Sequence, residues 1–394
     1  MLMSVAIIMF SGLAMGWVCR KIRFPALFGM IIAGIIVGPY ALDLLDGSIL
    51  DISAQIRRAA LIIILIRAGL KLDLADLKKA GRSALLLCFL PACFEMVGVI
   101  ILAPMFLGLS YLEAAILGAV VGAVSPAVVV PRMIKLIDEG YGVEKGIPQM
   151  ILAGASVDDV FVIVLFTTFT NLGRGESVSW MSFAGIPISI VLGVAVGIGV
   201  GLLCAVAFAR FRVAPTVQVI VVLSIAFVLD WFESAALIPF AGLIATMAVG
   251  AAVRRKDSAA AVRLSAIFDQ RWVPAEILLF VLVGASVAVD SLSSAGLGAI
   301  ALVICALAFR MVGVLVCVAA SPLDFRERLF CMLAYTPKAT VQAAIGGLPL
   351  AMGLPCGMTV LVVSVIAILL TAPLGAFAID LTYAKLLTKR EDRP

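Results

Sequence analysis

Apolar residues run through this chain in long blocks, separated by short clusters of charge. Thirteen blocks stand out, at roughly 2–19, 24–42, 49–70, 84–107, 112–135, 147–171, 182–209, 214–230, 235–253, 274–290, 295–320, 327–350 and 356–384. About 20 apolar residues in a helix cross the ~30 Å hydrocarbon core of a bilayer. A transmembrane barrel would instead show segments of about ten residues with alternating polarity, and none is seen. The pattern predicts an all-α polytopic membrane protein with about 13 transmembrane helices.

Two blocks are interrupted. The fifth reads Gly122-Ala123-Val124-Ser125-Pro126-Ala127-Val128-Val129-Val130-Pro131. The twelfth carries Thr336-Pro337-Lys338-Ala339-Thr340, then Gly346, Gly347 and Pro349. Proline removes a backbone donor and pushes its predecessor towards extended geometry. Broken backbone at membrane depth is tolerated only where protein or a water-filled cavity surrounds it, so Pro126 and Pro337 mark helix breaks with a purpose. Spans 5 and 12 lie seven places apart. Spans 1–6 and 8–13 then read as two inverted repeats with span 7 as linker, and discontinuous helices in corresponding positions point to a transporter's midplane site. The domains predicted are scaffold helices in 1–80, a core in 81–172 with the first break, a linker helix in 173–212, scaffold helices in 213–292 and a core in 293–394 with the second break.

Charge orients this plan. Of 29 Lys and Arg, 23 fall in one set of loops and the C-terminal tail if the N-terminus lies outside; Arg57, Arg58 and Arg174 fall in the opposite set, and Arg67, Arg310 and Lys338 lie within spans. That asymmetry is the positive-inside pattern. It places the C-terminus in the cytoplasm and Met1–Cys19 as an uncleaved first helix, since basic residues follow that stretch rather than precede it.

Composition narrows the chemistry. The chain of 394 residues is 64% hydrophobic and 13% charged, with a net charge of +5 and no basic cluster longer than Arg254-Arg255-Lys256, so nucleic acid is not an expected partner. Its eight cysteines lie mostly in apolar blocks without Cys-x-x-Cys spacing, and read as small buried hydrophobes. There is no histidine, which removes the commonest metal ligand and the usual titrating group near neutral pH. No resident cofactor is expected.

Against this background the intramembrane charges stand out. Asp158 and Asp159 sit side by side near the middle of the sixth block. An acid at that depth costs at least about 2.5–3.5 kcal/mol on insertion scales, and such residues mark ion or proton pathways. A second carboxylate adds like-charge repulsion. Binding a cation, a proton, or each in turn gives a reason to keep the pair. Arg310 in span 11 needs a counter-ion; Glu95 occupies the equivalent span 4, and Asp158 or Asp159 is the alternative partner. Lys338 at the second break can neutralise the negative C-terminal ends of half-helices, or can itself titrate. Arg67, near a span end, can snorkel. Ser125, Ser156 and Thr340 offer hydroxyl oxygens to a small hard cation, or bond within their own helices.

Several strings resemble the NHA branch of the cation/proton antiporter superfamily: Ile66-Arg67-Ala68-Gly69-Leu70, the 122–131 segment, Gly140-Tyr141-Gly142-Val143-Glu144-Lys145-Gly146-Ile147-Pro148, Ser156-Val157-Asp158-Asp159, and Pro337-Lys338-Ala339-Thr340-Val341-Gln342-Ala343-Ala344-Ile345-Gly346. The resemblance implies a homodimer in the cell inner membrane and elevator-type movement of an ion-carrying domain against a scaffold. It places the ion-binding aspartates at Asp158 and Asp159, with Asp159 as the direct ligand, and supporting roles at Ser125, Thr340, Lys338, Arg310 and Glu95. Electrogenic members carry a lysine where Arg310 stands, and related members with Asn before the aspartate are mostly electroneutral, so the pairing of Asp-Asp with Arg is a mixed signature.

The expected function is sodium or lithium exchange for protons. A potassium/proton exchanger and an organic-anion symporter on a similar fold are the transporter alternatives. An intramembrane aspartyl protease would need two aspartates on different helices and a Gly-x-Gly-Asp string, which does not occur, so no enzyme activity is expected.

Overall fold

A computed structural model describes residues 1–22, 24–71, 81–173, 180–211, 213–234, 240–287 and 289–389; at Ser156, Val160, 180–187, Ile190, Ser234, Arg271 and 289–295 it describes the backbone alone. Helices occupy most of the described residues. They are α1 (Leu2–Lys21), α2 (Ala26–Val37), α3 (Gly47–Asp51), α4 (Ser53–Lys71), α5 (Gly81–Leu87), α6 (Leu90–Leu107), α7 (Tyr111–Val121), α8 (Pro126–Asp138) and α9 (Ile147–Gly173). After these come α10 (Trp180–Phe211), α11 (Pro215–Ser234), α12 (Gly242–Lys256), α13 (Ser258–Ala285), α14 (Val289–Val318), α15 (Phe325–Ala334), α16 (Thr340–Ile345), α17 (Leu348–Ala351) and α18 (Gly357–Leu386). Among the described residues, eight helices or helix pairs are long and apolar enough to cross a membrane, and three shorter apolar stretches accompany them.

Among the described residues each predicted apolar block coincides with one helix or, where it is interrupted, with two or three, and the differences have physical causes. The third block splits at Ile52 into α4 and the short α3, whose start the Asp46 side chain caps by accepting from the Ser48 N–H. The fourth divides at Cys88 and Phe89, ahead of Pro91 in the first turn of α6. The tenth begins sixteen residues early because Ser258–Arg271 is rich in helix-forming Ala, Leu and Arg, although its charges interrupt the apolar run. In the fifth block the chain opens at 122–125, while Pro131 lies inside α8. In the twelfth it opens at 335–339 and again at Gly346 and Gly347.

The chain falls into two compact units. One comprises Met1–Arg57, Ala75–Arg174 and Ile277–Pro394; the other comprises Arg58–Leu74 and Gly175–Glu276. Small residues let helices approach closely, as expected where lipid removes the usual hydrophobic drive. In the second unit Gly193, Gly197 and Gly201 recur every four residues on α10 and lie against the backbone of Ala241, the N-cap residue of α12, and of Ala245 and Val249 on α12. Arg67 bonds Asp269 at 2.8 Å and 2.5 Å and stacks over Trp272, so its charge is paired rather than merely extended to the surface.

Lys71 joins the same carboxylate at 2.9 Å. Desolvation raises the Asp269 pKa, but the hydrogen bonds from Lys71 and Arg67 outweigh it and hold the group below the ordinary value. A depressed carboxylate pKa stabilises the fold above the unfolded value of about 3.9, and the contribution is lost as pH falls through the folded value. Asp269→Asn is therefore expected to lower stability at pH 7 by more than at pH 3. Thermal unfolding at the two pH values checks this, and an equal effect at both would refute it.

In the first unit a layer of buried side chains from α5, α8, α9, α14 and α15 packs together, including Leu87, Val129, Met133, Ile151, Val314 and Phe330. The turn after α8 is held by the chain beyond α18: the Gly142 N–H donates to the Thr388 carbonyl at 2.8 Å, and Tyr141 bridges Lys389.

Candidate functional site

The site lies in the first unit, where the two interrupted helices meet. Each break leaves backbone groups without an intrahelical partner, and the breaks partly satisfy each other: the Ser125 N–H donates to the Pro337 carbonyl at 2.8 Å. Helices α7 and α15 end here on their negative, carbonyl-rich termini, while α8 and α16 begin here with their N–H-rich termini.

Buried charge complements those ends. Arg310 on α14 is 1% exposed. Its Nε donates to the Tyr335 carbonyl at 2.7 Å, just past the end of α15. Nη1 donates to the Gly122 carbonyl at the end of α7 and to Glu95 Oε2 at 2.8 Å. Nη2 donates to Asp158 Oδ2 at 2.8 Å. Lys338 Nζ sits 2.7 Å from both Glu95 oxygens and donates to the Val121 carbonyl at 2.5 Å. The lysine thus reaches the carbonyl end of α7. Both expected partners of Arg310 are realised at once, with Glu95 and Asp158 held by one guanidinium.

Glu95 and Arg310 face each other because α6 and α14 cross closely. A Cβ on Gly98 would lie 2.7 Å from the Phe309 ring, and one on Gly313 would lie 2.9 Å from the Pro91 Cα. Larger residues at either position would separate the helices that carry the pair.

Asp158 and Asp159 lie on α9, and both are buried. Asp158 Oδ2 also accepts from the Val124 N–H at 2.8 Å, in the first break. Asp158 Oδ1, Asp159 Oδ1, Ser125 Oγ and Thr340 Oγ1 are buried without a hydrogen-bond partner. Ser125 precedes α8 as its N-cap residue, yet its side chain makes no capping bond. Thr340 opens α16. The Ser156 side chain lies outside the described residues. Among the described residues no group of three or more His, Cys, Asp and Glu is placed to hold a metal ion; oxygens of these acids and hydroxyls are the available donors.

Three contributors were not singled out from sequence. Gln342 on α16 donates to the Val120, Val121 and Ala123 carbonyls at 3.2, 3.4 and 3.0 Å. The Thr371 hydroxyl accepts from the Lys338 N–H at 3.0 Å. The Tyr335 ring lies under the Arg310 guanidinium, whose central carbon is 5.6 Å from the ring centre. A lone amide in the apolar run Val341–Gly347 was the available signal for Gln342; Thr371 and Tyr335 carried none that separates them from ordinary helix residues.

Broken helices that meet over buried acids and bases are the arrangement of a transporter's midplane site. The sequence matches the family described as "Sodium/hydrogen exchanger, transmembrane" over residues 5–383, and the chain belongs to that family. It is similar to sodium/hydrogen exchanger 9B2 of Xenopus tropicalis, at 34% identity over 417 residues covering 100% of this chain and 76% of the relative. Human sodium/hydrogen exchanger 9B2 is 33% identical over 93% of this chain and 70% of its own, and human sodium/hydrogen exchanger 9B1 is 31% identical over 99% and 79%. The fold also matches the sodium proton antiporter MjNhaP1 from Methanocaldococcus jannaschii, with a TM-score of 0.82 at 18% identity and 97% coverage of both chains. The chain is thus a multi-pass membrane transporter rather than an enzyme, in line with the NHA resemblance.

Proposed function

We propose that this chain exchanges sodium or lithium for protons by competition of the two ions for Asp158 and Asp159. One observation carries the reading. The buried cluster holds two fixed cations, Arg310 and Lys338, against three carboxylates, Glu95, Asp158 and Asp159. Glu95 and Asp158 take the two cations. Asp159 remains as the unmatched negative charge, with its Oδ1 buried and unpartnered.

Burying an unpaired charge is costly. A single proton or a single monovalent cation removes the imbalance, so each excludes the other. A small hard cation takes oxygen donors, and Asp158, Asp159, Ser125 and Thr340 supply carboxylate and hydroxyl oxygens, with Ser156 as a further candidate. Glu95, Arg310 and Lys338 keep the breaks neutral and in place, and Pro126 and Pro337 hold them open. The names of the similar proteins support sodium as the cation.

The same reading assigns 81–172 and 293–394 to an ion-carrying core and 1–80 and 213–292 to a scaffold joined through 173–212. The core moves as an elevator in a homodimer of the cell inner membrane, with the N-terminus outside and the C-terminus in the cytoplasm. Proteoliposomes with an imposed pH gradient test the exchange. Sodium and lithium are expected to collapse the gradient saturably, while potassium and organic anions leave it. A response to potassium alone would replace the reading with potassium/proton exchange, and no response to any monovalent cation would end it.

A further inference from the structure

The turn from α8 to α9, residues 140–148, takes no part in the exchange chemistry, yet it is closely constrained. Gly140, Gly142 and Gly146 adopt φ values of +80°, +66° and +66°, a region that glycine enters without steric cost. The Gly146 N–H donates to the Val143 carbonyl and the Ile147 N–H to the Gly142 carbonyl, each at 3.0 Å. From this turn Lys145 reaches across to α15, where its Nζ donates to Glu327 Oε2 at 2.7 Å. The Glu327 side chain is 1% exposed and the Lys145 side chain 37%.

The carboxylate does not need the lysine to shape its own helix. Asp324 and Glu327 form a capping box at the start of α15: the Glu327 N–H donates to Asp324 Oδ1 at 2.8 Å, and the Asp324 N–H donates to Glu327 Oε2 at 2.9 Å. What Lys145 adds is a link between segments 182 residues apart, one from each half of the proposed core. Two more links join the same halves at this end: the Gly142 N–H to the Thr388 carbonyl, and Arg132 on α8 to Asp380 on α18 at 3.1 Å. Helices α8, α9, α15 and α18 run from here to the site, where they bring Ser125, Asp158, Tyr335 and Thr371. At a rise of 1.5 Å per residue these lie about 12–22 Å from the turn.

Helices pinned at one end act as levers at the other. A tilt of about 5° at the base of a helix segment roughly 16 Å long moves its far end by about 1.4 Å, whereas the distances in a metal-ion site hold to about ±0.2 Å. We infer that the Lys145–Glu327 pair is a positioning contact for the ion site. By fixing α15 against the α8–α9 turn, it sets the distances between Ser125, Asp158 and Asp159 in one half and Thr340, which follows α15 across the second break, in the other. Cation affinity follows from those distances. The inference rests on the competition site proposed above.

Exchange in proteoliposomes and thermal unfolding of the full chain test it. Lys145→Met keeps the apolar stem, and Glu327→Gln keeps an oxygen for the Asp324 N–H. Each is expected to raise the half-saturating sodium concentration about fivefold or more, with the maximal rate within about twofold. The double variant should be no worse than either single one, because the two side chains act as a unit, and Lys145→Arg should keep the original value. Glu144→Gln, which changes an exposed charge beside Lys145, should also keep it. A pair that only stabilised the fold would change the melting temperature and the amount of active protein, and so the maximal rate, but not the half-saturating concentration. An unchanged half-saturating concentration in either single variant therefore overturns the inference. Sodium binding is read without transport from the rise in melting temperature when sodium chloride replaces choline chloride. A chain that sodium stabilises but that exchanges nothing, and whose stabilisation weakens in Lys145→Met, supports the pair and overturns the exchange reading. A chain that neither exchanges nor gains stability from sodium overturns both.

Discussion

Asp159→Asn is expected to abolish sodium-driven proton movement while leaving the protein folded. Asparagine has nearly the same shape and still bonds through its amide, but it brings the buried cluster to equal numbers of positive and negative groups. A cation entering the site then meets no net attraction. Two unit charges 4 Å apart interact by about 4 kcal/mol at an effective dielectric constant near 20, so the lost affinity is roughly a thousandfold. Stability should not fall, because the change removes a desolvated charge that lacks an ion pair; Glu95 and Asp158 keep their partners. The measurement is gradient collapse in proteoliposomes beside a melting curve of the same preparation. Unaltered exchange would remove Asp159 from the ion site.

Glu95→Gln is expected to act in the opposite way, through the fold. Glu95 is completely buried and joins Arg310 and Lys338. Removing its charge deprives Lys338 of its carboxylate partner and leaves Arg310 with Asp158 alone at the junction of the breaks. Breaking a buried pair by removing one partner costs about 3–5 kcal/mol, a large part of a typical stability of about 5–15 kcal/mol. The exposed Glu144→Gln serves as the reference change. A Glu95→Gln protein that melts with the Glu144→Gln protein would show that the pair carries no such weight.

Much of this molecule was legible in its sequence because lipid imposes simple rules. Apolar length located the helices, and the prolines at 126 and 337 located the breaks. The acids and bases within apolar blocks named most of the cluster, since such residues seldom occur there without partners. What stayed hidden depends on crossing geometry. Nothing in the residues around Arg310 distinguishes Glu95 from Asp158 as its partner, because the answer, both, follows from how α6, α9 and α14 cross. Gln342 and Thr371 act on backbone groups, which leave no trace in a residue pattern. The long amphipathic start of α13 was missed for a simpler reason: its charges broke the apolar run although its helix propensity did not.

Several contacts that shape the site come from the main chain: the N–H groups of Val124 and Ser125 and the carbonyls of Val121, Gly122, Tyr335 and Pro337. No side-chain replacement can delete these atoms. Drift in the surrounding residues can therefore proceed while the polar frame persists, and retuning which ion is taken has few levers. On the exchange reading those levers are the carboxylates of Asp158 and Asp159 and the hydroxyls of Ser125 and Thr340, with the amide of Gln342 acting through the carbonyls it bonds. A selection for altered cation preference should accumulate its changes at those five positions or immediately behind them.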